Sequence, residues 1–406
     1  MQNDKENTTM DNKKLWLLIA ALVLIGFGTF VYNIASGHPE RAWQAYLINF
    51  LLWSAIAQGG LLFSTIMTTT RARWSGPLSG LSAAFAGFFP ISMILFVVLF
   101  AGSTYVFPWS HGHDLHGKEL WLNVPFLFVR DCFGLLVLYG LGFVYLYYAL
   151  QMKIDSTDTR GFLRSVFNRL RGEEPPDEEK IRKRMGLFSV LYMLAFALVV
   201  SLIGYDMVMA ADPHWISTLF GAYTFVKAIY LGLGGLIILA ALMHLNAQKS
   251  GFHLPSSNFH DIGKLFFAFC LMWADFFYVQ LVVIWYGNIP EETAYVIERL
   301  MQIPWRNLAI GVFLVCFVLP FFILLNKKVK MMPGFMIAIC TVVIIGIWFE
   351  HLLLLGPALS HSAGGLPLGI SDLLITLGFF GLMLSAITVA FKQFPELLRF
   401  EKREVS

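Results

Sequence analysis

Apolar side chains fill this chain in ten long runs, each parted from the next by a polar or turn-rich stretch. The runs are residues 15–34, 44–66, 80–106, 124–149, 187–208, 216–243, 264–287, 307–325, 335–355 and 369–391. A hydrocarbon core about 30 Å thick needs roughly 20 apolar residues in a helix to cross it. Each run reaches about that length, so the pattern predicts an all-α polytopic membrane protein with ten transmembrane helices. Such helices satisfy their own backbone polar groups, which lipid tails cannot do. Lys13 and Lys14 precede a first run longer than the apolar core of a cleaved signal, so this run reads as a membrane helix.

The basic residues sharpen the picture. Of the 29 Lys and Arg, 23 fall at the two termini and in alternate connections (Lys264, the first residue of its run, counted there), four fall in the other connections, and Arg130 and Lys227 lie inside spans. The positive-inside rule makes the basic side cytoplasmic. Both termini then lie inside, as an even number of crossings requires. Composition agrees: 57% of residues are hydrophobic and only 14% charged, against about a quarter charged in soluble proteins. The net charge of +3 carries no further message, and no nucleic-acid partner follows from it. Cys132, Cys270, Cys316 and Cys340 all fall within spans and form no C-x-x-C pair, so they read as small packing residues.

The longest connection, from Gln151 to Met185, lies on the basic side. Residues Arg160 to Arg171 carry Phe162, Leu163, Val166 and Leu170 at helical spacing among basic residues. Such a segment suits an anionic membrane surface; a solvated linker is the plainer reading. An acidic stretch, Glu173 to Glu179, follows. A weak internal repeat relates Gln58-Gly59-Gly60-Leu61 to Leu233-Gly234-Gly235-Leu236, in two spans of the same direction. It predicts two four-helix bundles, spans 2–5 (residues 44–208) and 6–9 (216–355), flanked by spans 1 and 10 as one membrane domain. Paired glycines let such helices approach closely.

The opposite side has short connections rich in special residues: Trp109 to His116, Asp212-Pro213-His214-Trp215, and Asn288 to Thr293. Seven of the ten histidines, His38, His111, His113, His116, His214, His351 and His361, lie on or near it. The His111-x-His113-x-x-His116 spacing has a metal reading, but an interfacial loop accounts for it, and no metal site is expected. A membrane haem needs facing axial histidines on different helices, and no two histidines in the spans share a depth. Any haem or iron–sulfur carrier would therefore belong to a partner.

Ionisable residues inside a membrane are functional candidates, because each is costly to bury unpaired. Arg130, Asp131, Asp206, Lys227 and Asp275 stand out, with Glu350 and His351 nearer the outer face. Lys227 lies 11 residues from the outer end of its span and Asp275 lies 12 from the outer end of the next, about 16 and 18 Å deep at 1.5 Å per residue. Matching depth on consecutive antiparallel helices predicts a Lys227–Asp275 ion pair, either a static packing device or a proton relay station. Arg130 can reach outward to Asp206, with His214 and Trp215 above. Asp131 points elsewhere and needs another partner. This outer cluster (Arg130, Asp131, Asp206, His214 and Trp215) reads as a satisfied helix end, or as a weaker candidate for a quinone head group, whose oxidation needs hydrogen-bond partners and a base.

Two stretches resemble one family. They are His260-Asp261-Ile262-Gly263-Lys264-Leu265-Phe266, continuing through Trp273, Gln280 and Ile284 to Thr293, and Tyr205-Asp206-x-Val208-Met209 with Asp212 to Gly221. Trp121-Leu122-Asn123 leading into Arg130, and Pro320, add to the likeness. Over roughly residues 40 to 395 the chain is similar to the NrfD-like (PsrC-like) integral membrane subunits of bacterial alternative complex III, in particular the second of them, the ActF type. The resemblance implies a quinol to cytochrome c, or similar periplasmic acceptor, oxidoreductase complex. Its other parts would be a sister NrfD-like subunit, a periplasmic iron–sulfur protein and multihaem cytochromes c, with a terminal oxidase as an optional further partner. Haem c and iron–sulfur clusters would sit in those partners; the only small ligand contemplated for this chain is a quinone, and no catalytic residue is carried over. The resemblance marks Asp206, His260, Asp261 and Glu350 for proton conduction. With Lys227, Asp275 and His351 they form the proton-path candidates. It also implies an aromatic residue at position 275 and a small or apolar one at 227, which would make Lys227 and Asp275 a compensating pair. The alternatives are a standalone proton or ion transporter, against which no broken helix pair of inverted orientation is visible, and a pure structural membrane anchor.

Overall fold

A computed structural model describes residues 2–72, 74–111, 115, 117–154, 161–171, 177–247, 251–359 and 365–398. His113, His116, His361 and Glu173 to Pro176 lie outside the described residues. Among the described residues, ten helices are long and apolar enough to cross a membrane, and there is no strand. The protein is a multi-pass helical membrane protein. The spanning helices are α1 (Gln2–Ala35), α2 (Pro39–Thr69), α3 (Leu78–Val106), α4 (Val124–Gln151), α5 (Glu178–Met207), α6 (Phe220–Leu245), α7 (Ser256–Gly287), α8 (Trp305–Leu325), α9 (Pro333–Leu359) and α10 (Ile370–Gln393). The end of the bundle near Lys13, Lys14 and Lys327 is called the basic end below, and the other the histidine end.

Local chemistry sets the helix ends. Pro39 occupies the first turn of α2, where no backbone N–H is needed. The Asn123 side chain accepts from the Phe126 N–H at 3.2 Å and caps α4. Asp177 accepts from the Glu179 and Lys180 amides and caps α5. Asn288 ends α7 with a left-handed φ of 45°.

Three elements depart from the expected runs. α5 begins at Glu178 rather than near residue 187, because its charged first turns extend the helix beyond the apolar stretch. α3 is not one smooth helix: 3-10 segments at Ala84–Phe88 and Phe100–Gly102 interrupt it, the first just before Pro90. α8 contains a π turn at Leu314–Val318. Pro320, four residues after Cys316, cannot supply the N–H that the Cys316 carbonyl would take in a regular helix. The Tyr230 hydroxyl of α6 donates to that carbonyl at 3.2 Å instead. The connection after α7 also carries more structure than its sequence announced, a helix at Pro290–Leu300 led by Pro290, Glu291 and Glu292.

Helices α2 and α6 are the most enclosed, and α1 and α7 the least. α2 and α6 cross at bare backbone: a Cβ on Gly59 would lie 2.1 Å from the Ala228 carbonyl oxygen, and one on Gly232 would lie 2.2 Å from the Gly59 carbonyl carbon. Gly60 faces the Phe85 ring and Gly235 faces Ile56. The α4–α5 pair, and α6 with α7 and α9, pack extensively, and α5 also packs on both α2 and α6. The helices thus form one continuous body. α1 packs chiefly against α10, at Gly26 and Gly378, where an added Cβ would lie 2.5 and 2.8 Å from backbone of the facing helix. The Arg41–Asp372 ion pair at 2.9 Å ties α2 to α10 near the histidine end.

The helix Phe162–Arg171 lies against the basic end. Phe167 is buried against Phe394 and Tyr147. Arg164 pairs with Glu396 at 2.8 Å, both enclosed. Phe162, Leu163, Val166 and Leu170 stay exposed.

Candidate functional site

The deepest polar cluster centres on Glu350 of α9, whose side chain has no solvent exposure. Oε1 accepts from Lys227 Nζ of α6 at 3.0 Å and from the Tyr223 hydroxyl one turn away. Oε2 accepts from the Trp273 indole of α7 at 3.1 Å. Both oxygens are therefore satisfied, and the charge is matched, as a buried ion pair requires. Next to it, His351 is buried and its Nδ1 lies 2.9 Å from the Ile347 carbonyl oxygen.

Lys227 and His351 also line a cavity of about 30 Å³, with Ser54 and Gln58 of α2 and Thr224 of α6 among its walls. That volume suits about one water, and the polar walls give it partners. Behind Gln58 runs a chain of hydrogen bonds. The Gln58 amide donates to the Tyr139 hydroxyl at 2.9 Å, Tyr139 and Ser92 lie 2.7 Å apart, and Ser92 and Ser54 lie 2.6 Å apart. The Tyr192 hydroxyl donates to the Gln58 carbonyl at 2.9 Å. Further toward the basic end, Tyr145 holds Ser64 and Thr68, each at 2.8 Å, and Thr69 meets Ser189 at 2.8 Å.

The second cluster lies nearer the histidine end. Asp206 of α5 takes Arg130 Nε and Nη2, each at 2.6 Å, in a two-point contact, and the Trp121 indole at 3.0 Å. Arg130 also donates to the Trp121 carbonyl at 2.9 Å, and its guanidinium carbon lies 3.9 Å from the centre of the Trp121 ring. Asp131 is fully buried beside this group, and neither of its oxygens accepts a hydrogen bond within the structure. One turn on, Leu135 reaches the wall of the central cavity. Two carboxyls of neighbouring helices thus flank one arginine.

The structure corrects the expected Lys227–Asp275 pair. Lys227 belongs to Glu350, and Asp275 is exposed on the outer face of α7. Two residues along a helix turn the side chain by about 200°, so with Trp273 aimed at Glu350, Asp275 must face away. Lys227 and Asp275 are therefore not the compensating pair that the resemblance implied. Trp215 is also not the cover of Arg130; Trp121 is. Trp215 stacks on Tyr295 at 3.8 Å between ring centres, and Arg299 lies 3.4 Å over the other residue of that stack, Tyr295. Burial pushes the Tyr295 hydroxyl up to about 12, so it remains protonated at any ordinary pH. His214 is exposed in the same connection. His260 and Asp261 lie at the basic end of α7, 3.8 Å apart, with Lys264 2.7 Å from Asp261. They are far along the bundle from Glu350, so the seven proton-path candidates do not form one site.

Sequence reasoning missed Tyr223, Tyr139, Ser54, Ser92 and Gln58. A signal was present: Ser54 and Gln58 stand one turn apart in an apolar run, as do Tyr223 and Lys227. Among the described residues, no group of three or more His, Cys, Asp or Glu could hold a metal ion. A second cavity of about 370 Å³ opens at the histidine end, beside Asn33, His38, Arg41 and Ser371; neither cavity is lined by Arg130 or Asp206. No protein-family model and no curated protein sequence matches the chain.

Proposed function

We propose that this chain is an integral subunit of a quinol-oxidising electron-transfer complex of the alternative complex III type, delivering electrons through its partners to a cytochrome c or similar periplasmic acceptor. In this reading the basic end faces the cytoplasm. The histidine end receives an iron–sulfur protein and multihaem cytochromes c, and a sister NrfD-like subunit carries quinol oxidation. The present chain anchors the assembly and routes protons.

The observation that carries the reading is the Glu350-centred network, a charged and fully satisfied cluster held deep among apolar helices. Glu350 and Asp206 are two of the positions the family resemblance marks for protons, and both are buried acids in contact with a basic partner. Burying such groups is costly, so their presence favours a proton role over a simple anchor. The hydroxyls of Ser54, Ser92 and Tyr139 both donate and accept. They can pass a proton by reorientation from the water-sized cavity toward α4. A quinone head group at Arg130 and Asp206 has less support, since Trp121 and the paired side chains already occupy the donor and acceptor positions.

The test is to replace the chain in its host by the Glu350→Gln variant and follow quinol-driven acceptor reduction together with proton movement across the membrane. The reading expects reduction to persist and proton movement to fall. Unchanged proton movement overturns the relay, and unchanged reduction in membranes lacking the chain altogether overturns the subunit assignment.

A further inference from the structure

Arg130, Asp131, Asp206, Lys227, Glu350 and His351 all turn into the bundle and are buried or nearly so. Asp275 is the exception. It stands 12 residues from the end of α7 at Gly287, about 18 Å deep along the helix axis. Its side chain is exposed, and it makes no hydrogen bond or ion pair to the described residues. The carboxyl has a single methylene, so it cannot snorkel to an interface as a lysine can. The same face carries Leu271 and Met272 one turn before it and Tyr278 one turn after, exposed by 39%, 41% and 61%. α7 is also the least enclosed spanning helix after α1. Unlike α7, the exposed face of α1 over residues 15–34 has no ionisable group but Tyr32 near its end.

We propose that the Leu271–Asp275–Tyr278 face of α7 is an interface inside the membrane, occupied by a transmembrane helix of a different polypeptide that presents a Lys, Arg or His at mid-depth to Asp275. Charge complementarity selects the occupant. An ionised acid among lipid tails has no donor, and a cation or strong donor held by another helix supplies one. A second copy of this chain would bring Asp275 against Asp275, which is the wrong sign. Tyr278, one turn away, offers a hydroxyl beside the same contact, and the flanking Leu271 and Met272 provide adaptable apolar packing. The proposal does not rest on the electron-transfer reading, since any membrane assembly would meet the same requirement.

The test is photo-crosslinking in native membranes with full-length protein carrying p-benzoylphenylalanine in place of Tyr278. The expected product joins the chain to another membrane protein, and sequencing of the linked peptide finds a spanning segment with a basic residue at mid-depth. Asp275→Lys should cut the yield about tenfold or more, as like charges meet, and replacing the partner's basic residue by Glu should restore it. Where Asp275→Lys protein is absent from the membrane, Asp275→Leu takes its place and should also lower the yield. Products joined only to lipid, products joined only to a second copy, a linked segment without a basic residue, or a yield indifferent to both substitutions would each overturn the proposal. Haem content of the same membranes reports separately on the complex, so the two ideas fail independently.

Discussion

Depth along a helix was legible from the sequence, and direction around it was not. Counting residues placed Lys227 and Asp275 at one level, but the azimuth of Asp275 is set by Trp273, whose indole must reach Glu350. Glu350 itself was visible as an intramembrane acid, and its bond to Lys227 was not, because the partner lies on a helix 123 positions away. Breaking a buried pair by removing one partner costs about 3–5 kcal/mol. Glu350→Gln should therefore lower the unfolding temperature of the detergent-solubilised protein, and Lys227→Met added to it should recover much of the loss. A double variant no more stable than the single one would contradict the pairing. Asp131 predicts the reverse behaviour. Its oxygens accept nothing, so Asp131→Asn should leave the unfolding temperature unchanged or higher, whereas Asp206→Asn, which weakens a two-point arginine contact, should lower it.

At the scale of elements, hydropathy found the ten crossings because each is long and apolar, and it missed what lies outside the apolar window. The charged start of α5 at Glu178 and the helix Pro290–Leu300 are helical for reasons of capping and end charge, which a hydropathy run does not register. The paired glycines hinted at close packing, but the crossing partner of Gly59 is Gly232 rather than either residue of the Gly234-Gly235 pair. Gly59→Val should therefore prevent α2 and α6 from meeting, and the variant should be lost from the monodisperse peak in fluorescence-detected size exclusion. Gly311, which faces open space, should accept Ala there without such a loss. The helix Phe162–Arg171 depends on Arg164 reaching Glu396 at 2.8 Å. Arg164→Ala should expose that segment to faster cleavage in limited proteolysis, with the membrane core intact.

The whole molecule is organised around an apolar body with unequal ends and a polar seam through its middle. The seam runs from the Glu350 cluster past a water-sized cavity into the hydroxyl chain around Tyr139. Ten crossings put the segments after α7 and after α10 at opposite ends of the bundle, so reporters fused after Gln393 and within Pro290–Leu300 should report opposite sides of the membrane. The assignment to a quinol-oxidising complex is tested most directly by purifying the tagged chain from its native membranes in mild detergent and recording the haem c spectrum of the purified material. The account predicts stoichiometric haem c, carried by companions that bind the histidine end. A monodisperse, folded preparation without haem would contradict it.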